Sequence, residues 1–109
     1  MVATALPVRA YRAVTESLRV LVVDDEPAAR VELQHLLGRI AGVGPPDLTD
    51  TAAGALARIA ERPYDVVFLD IRMPGMSGLE ALPMIQRRSG DSAVVFVTAY
   101  DEHALKAFE

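Results

Sequence analysis

Three short apolar runs punctuate the chain: "LRVLVV" (18–23), "VVFL" (66–69) and "AVVFVT" (93–98). They are rich in β-branched and aromatic residues and too short for a buried helix, the pattern of a strand covered on both faces. Between them the apolar positions switch to helical spacing. Pro27 stands where a first helical turn accepts proline, and Ala29, Leu33, Leu36, Leu37 and Ile40 follow one helical face until "GVGPPD" (42–47) ends the pattern. A weak strand, "DLTDTA" (47–52), and a short helix, "GALARIAER" (54–62), closed by Pro63, come next. Beyond the 66–69 strand, Met73 before Pro74 favours extended backbone and Gly75 can take positive φ. Ser77-Gly78 then open a helix to about Arg88, with Leu79, Leu82 and Ile85 at apolar spacing. "DEHALKAFE" (101–109) begins one more helix. Strands thus alternate with helices four times, which predicts an α/β architecture of parallel strands joined by helical crossovers. Residues 1–17 show no period and are expected to form a loosely ordered N-terminal arm, leaving 18–109 as the domain.

Composition narrows the function classes. A chain of 109 residues holds one small domain, and 51% hydrophobic residues with a mean hydropathy of +0.23 suit a sheet buried on both faces. The net charge of −4, without a basic run, excludes direct nucleic-acid binding by this segment as the first reading. Without cysteine, neither a disulfide framework nor a thiolate zinc site can form. The opening residues lack a basic stretch ahead of a long apolar core, and no run approaches a bilayer span, so the expected location is the cytoplasm, with no membrane partner.

The carboxylates carry the chemistry. Ligands of an open parallel α/β sheet bind beyond the carboxyl ends of its strands, near the point where strand order reverses. Asp24 and Asp25 leave the first apolar run, Asp70 leaves the second and Thr98 ends the third, so all four are expected at one sheet edge. Each has a bland reading as a helix cap, a turn residue or a strand former. Together they do not, because two carboxylates about 4 Å apart repel by roughly 4 kcal/mol at an effective dielectric of about 20, and three make three such pairs. A hard divalent cation offsets that repulsion, and an all-oxygen site with room for water suits Mg²⁺. His35 and His103 read as solvated helix residues, Met73, Met76 and Met84 as gap-fillers, and Arg87-Arg88 as a helix end.

Through "VLVVDDEPAAR", "DVVFLDIRMPGMSGLE" and "VVFVTAYDEHALKAFE", residues 18–109 resemble the receiver domain of bacterial two-component response regulators. The separations 70 − 25 = 45 and 98 − 70 = 28 are of receiver type, and the last stretch looks most like the LytTR-type (LytR/AlgR-like) branch. The resemblance implies a flavodoxin-like three-layer sandwich around a parallel sheet. It makes Asp70 the phosphoacceptor for a sensor histidine kinase. Mg²⁺ would be held by Asp24, Asp25, the Asp70 carboxylate and the backbone carbonyl of Arg72. Thr98 would donate its hydroxyl to the phosphoryl group, Ala99 would leave the approach open, and Arg72 and Tyr100 would tune hydrolysis. The expected role is a signalling phosphoacceptor with self-phosphorylation and self-dephosphorylation chemistry, not a turnover enzyme. Its output would be transcription through a following LytTR-type DNA-binding domain, and its partners that domain, the kinase and a second copy across the fourth strand and next helix.

The chain departs from the family at one place. The family adds a fifth strand ending in a phosphoryl-pairing lysine, then a fifth helix; here four strands are expected, and the single lysine, Lys106, reads as a solvated helix residue. If the polypeptide stops at Glu109, "AVVFVTAY" is expected to be an uncovered edge prone to pairing between chains. The lost lysine keeps a second reading open, a pseudo-receiver acting only as a protein interaction module. An aspartate-nucleophile phosphatase wants a second aspartate where Arg72 stands, and a dinucleotide-binding domain needs glycines that "DDEPAAR" lacks.

Overall fold

In the computed structural model the described residues are 2–5 and 17–98. They form β1 (Val2–Ala5), β2 (Val20–Val23), α1 (Pro27–Leu37), β3 (Asp47–Thr49), α2 (Ala52–Glu61), β4 (Val66–Asp70), α3 (Gly78–Arg88) and β5 (Ala93–Thr98). One five-stranded sheet has the order β1-β5-β4-β2-β3. The four expected strands, β2 to β5, pair in parallel, whereas β1 runs antiparallel along β5. Val2–Ala5, read as part of a loose arm, are therefore strand. Within the described residues the outer edge of β5 is paired with β1. A four-residue stretch is too short to show a period, and its partner residues lie ninety or more positions away in sequence, so no local signal announced it.

Alternation within the strands builds two layers of core. On β2, Leu21 and Val23 join α2 and α3 through Ala55, Leu56, Ile59, Ala81 and Ile85, while Val20 and Val22 join Leu33 and Leu37 of α1 on the opposite face. All four β2 residues are buried, and each such side chain stabilises the fold by roughly 1.5–3 kcal/mol relative to exposure. That is the three-layer arrangement expected. The helix predicted over 101–109 falls outside the described residues.

Three local expectations need correction. First, α1 ends at Leu37, Ile40 lies beyond it and both Leu36 and Ile40 are exposed, so only Leu33 and Leu37 form the fully buried stripe. At about 100° per residue Leu36 sits roughly 80° from the centre of that stripe, off the face that meets the sheet. Second, α2 begins two residues before Gly54, because the Thr51 hydroxyl accepts from the Gly54 amide at 3.0 Å and caps the helix. Third, on α3 the buried positions are Gly78, Ala81 and Ile85, while Leu79 faces outward and Leu82 is half-buried. The methionine reading holds: Met73 is buried, and Met76 and Met84 pack partly against the same core. His35 is exposed on α1.

Candidate functional site

Strand register brings the carboxylates together. β2 pairs with β4 as Val20↔Val66 through Val23↔Leu69, so one step further Asp24 comes level with Asp70 at the carboxyl ends of both strands. β3 and β4 leave β2 on opposite sides, which makes this edge the switch point of the sheet. One carboxylate oxygen from each of Asp24, Asp25 and Asp70 lies within 4.8 Å of the others. At that separation each pair of charges repels by about 3.5 kcal/mol at an effective dielectric of roughly 20.

Backbone groups hold each acid in place. Asp24 is buried; its Oδ1 accepts from the Glu26 amide at 2.9 Å, its own amide donates to the Thr49 carbonyl at 3.1 Å, and its carbonyl accepts from Arg30 Nη1 at 2.7 Å. The turn-forming role weighed for such an aspartate is real, and it coexists with membership of the cluster. Asp25 and Asp70 are half-buried, and Asp70 Oδ1 accepts from the Arg72 amide at 3.1 Å. Burial pushes the Asp70 carboxyl up to about 7, and the neighbouring Asp24 and Asp25 add to the rise while the Arg72 amide opposes it.

The turn after Asp70 is fitted closely to the start of α3. Gly75 takes φ 76°, as its type allows. Ser77 and Glu80 form a reciprocal capping box, side-chain oxygen to backbone amide at 3.2 Å in both directions. The Gly78 amide donates to the Ile71 carbonyl at 2.9 Å, and a Cβ at Gly78 would stand 2.1 Å from the Asp70 carbonyl oxygen. Gly78 therefore lets the helix approach the backbone that carries Asp70. Sequence reasoning placed Gly78 only at the opening of the helix and assigned no role to Arg30; a glycine in a first helical turn, where propensity disfavours it, was the available signal for the close approach of Gly78 to the Asp70 backbone.

Of the other expected site residues, Arg72 is exposed beside the cluster. Thr98 ends β5 one position after Val97, which pairs with Asp70, so its backbone reaches the same edge. Its side chain, like Ala99 and Tyr100, lies outside the described residues. Three carboxylates with no sulfur or nitrogen donor make a hard-cation donor set, and backbone amides already neutralise part of Asp24 and Asp70, leaving the remaining oxygens for a metal. The residues fit Mg²⁺. No helix among the described residues is long and apolar enough to cross a membrane.

Comparison with known proteins agrees with this geometry. The family model for the response regulator receiver domain matches residues 20–109. The positive alginate biosynthesis regulatory protein of Pseudomonas aeruginosa is 44% identical over 94 residues, covering 84% of this chain and 38% of that protein. The sensory transduction protein LytT of Bacillus anthracis is 42% identical over 92 residues, covering 84% and 37%. The chain thus spans just over a third of the curated relatives it matches. Among solved structures, the receiver domain of the histidine kinase CKI1 from Arabidopsis thaliana, complexed with Mg²⁺ and BeF₃⁻, superposes with a TM-score of 0.72 at 27% identity over 84% of this chain and 72% of that one. A chain of the complex between histidine kinase ThkA and response regulator protein TrrA gives 0.69 at 37% identity, over 79% and 72%.

Proposed function

The chain belongs to the response regulator receiver domain family, and from that premise we propose that Asp70 accepts a phosphoryl group from a histidine of a sensor kinase in a Mg²⁺-dependent reaction. The observation that carries this reading is the convergence of Asp24, Asp25 and Asp70 within 4.8 Å at the switch point of the sheet. An Asp70 oxygen forms the new P–O bond as the P–N bond breaks, and the bonding pair stays on the leaving imidazole. Asp70 must be ionised to attack, so its elevated pKa makes charge neutralisation by a cation part of its activation. Bound Mg²⁺ supplies that neutralisation and charge compensation for the phosphoryl oxygens. Asp24 and Asp25, with the Asp70 carboxylate and the Arg72 carbonyl, are the residues that would hold it. The Arg72 amide fixes one Asp70 oxygen and leaves the other to react. Thr98 would donate its hydroxyl to the transferred group, Ala99 would keep the approach clear, and Arg72 and Tyr100 would set the lifetime of the acyl phosphate.

The domain works as a cytoplasmic switch, not as a turnover enzyme: added negative charge and acceptor oxygens at Asp70 change what the β5 face binds. Relatives named as LytT and as an alginate biosynthesis regulator support a transcriptional output through a following LytTR-type DNA-binding domain, and the ThkA–TrrA likeness supports a kinase partner. Incubation of the full-length protein with acetyl phosphate and Mg²⁺, followed by intact mass and peptide mapping, tests the reading. One phosphoryl adduct at Asp70, abolished in Asp70→Asn, is expected. A protein that binds its partner yet takes no adduct would be an interaction module instead.

A further inference from the structure

The start of α1 reverses the usual charge order of a helix. Its first turn holds no acidic residue, and Arg30 stands at its fourth position, where the positive end of the helix dipole disfavours a cation. What offsets that placement lies in the loop before the helix. Arg30 is half-buried; its Nη1 donates to the Asp24 carbonyl at 2.7 Å, and its backbone amide donates to the Glu26 carbonyl at 3.1 Å. The helix that carries it is anchored in turn, with Leu33 and Leu37 packed in one core with Val20 and Val22 of β2.

The carbonyl held by Arg30 belongs to the peptide joining Asp24 to Asp25, two of the three acids that meet within 4.8 Å. A peptide unit is rigid, so its plane is set by ψ of Asp24 and φ of Asp25, and a rotation of that plane re-aims both side chains. The bonds from the Asp24 amide to Thr49 and from the Glu26 amide to Asp24 Oδ1 fix the Asp24 side of this unit, and the guanidinium fixes its orientation. We propose that Arg30 is a positioning residue, which locks the Asp24–Asp25 peptide and so aims both carboxylates at one divalent cation. It rests on the reading of the acidic cluster as a Mg²⁺ site, and Arg30 itself supplies no ligand atom. Two other roles for an arginine at this place differ in the sign of their effect. A counter-charge competes with the metal, so its loss would tighten Mg²⁺ binding. A surface arginine bonded to a convenient carbonyl would change stability and leave affinity alone. The geometry favours positioning, because the short, charge-assisted bond goes to a neutral carbonyl between two of the acids.

Mg²⁺ titration of the full-length protein without a phosphodonor, followed by calorimetry and by the NMR amide shifts of residues 24–26, separates the three roles. Arg30→Met removes donor and charge together and should bind Mg²⁺ about tenfold more weakly, the lower end of what loss of a group orienting a metal ligand costs. Arg30→Lys keeps a charged donor on a long stem and should recover most of that affinity. Arg39→Gln removes the same charge from an exposed position beyond the far end of α1 and should leave affinity unchanged. If Arg30→Met does not fold, Arg30→Gln carries the same reading. An Arg30→Met protein that binds Mg²⁺ as tightly as the parent, or more tightly, would overturn the positioning role alone, as would an Arg30→Lys protein no better than Arg30→Met. A parent that binds no Mg²⁺ would overturn the metal-site reading along with it.

Discussion

Replacing Asp70 by Asn should stabilise the metal-free domain, an unusual outcome for a residue at the centre of a functional site. The folded chain holds a proton on Asp70 up to about pH 7, whereas an ordinary carboxyl releases it near 3.8. Between those values the folded state binds more protons than the unfolded state, so stability falls as pH rises through the window and the full penalty is present above pH 7. The shift of about 3 units corresponds to roughly 4 kcal/mol at 1.36 kcal/mol per unit. Asp70 is half-exposed, and solvent screening reduces that to about 1–2 kcal/mol. For a chain of this size that is a rise of roughly 4–16 °C in midpoint. Asn keeps the side-chain oxygen that accepts from the Arg72 amide, so the substitution removes charge with little loss of bonding. Urea and thermal denaturation of both proteins in EDTA, from pH 3.5 to 8, should show curves that coincide at the acid end and separate towards pH 7 in favour of Asn. Saturating Mg²⁺ should reverse the order, because only the parent retains all three carboxylates. Equal stability of the two proteins across the pH range in EDTA would refute the claim that mutual repulsion and burial burden this cluster.

The same geometry makes further predictions. Gly78→Ala places a methyl 2.1 Å from a backbone carbonyl that cannot swing aside, so it should destabilise by about 1–3 kcal/mol in urea titrations and weaken Mg²⁺ binding measured by NMR shift perturbation. With Mg²⁺ limiting, phosphorylation of Asp70 by acetyl phosphate should slow as pH falls below about 7, the direction set by protonation of the nucleophile, and excess Mg²⁺ should move that fall to lower pH in stopped-flow or mass assays. Arg30→Gln removes the charged donor to the Asp24 carbonyl, and calorimetry should find Mg²⁺ affinity reduced severalfold with the fold intact by circular dichroism. Ser77→Ala breaks the capping box and should cost about 1 kcal/mol in urea denaturation.

Pattern alone carried most of the architecture. The runs at 18–23, 66–69 and 93–98 became β2, β4 and β5 because β-branched residues with apolar neighbours on both faces can bury only in a covered sheet. Alternation of these with helical spacing demanded parallel crossovers, and parallel crossovers place strand-end aspartates on one edge, so the cluster of Asp24, Asp25 and Asp70 was legible before any coordinate. Other features depend on contacts between residues distant in sequence. Whether Leu36 is buried depends on the angle at which α1 meets the sheet, and the place of Val2–Ala5 on β5 depends on a backbone edge that no local composition encodes. The elevated pKa of Asp70 and the constraint on Gly78 arise from atoms brought within a few ångströms by folding. Local periodicity decides which segments are strand or helix because each residue's burial preference acts on its own; proximity between segments exists only once the chain has closed on itself.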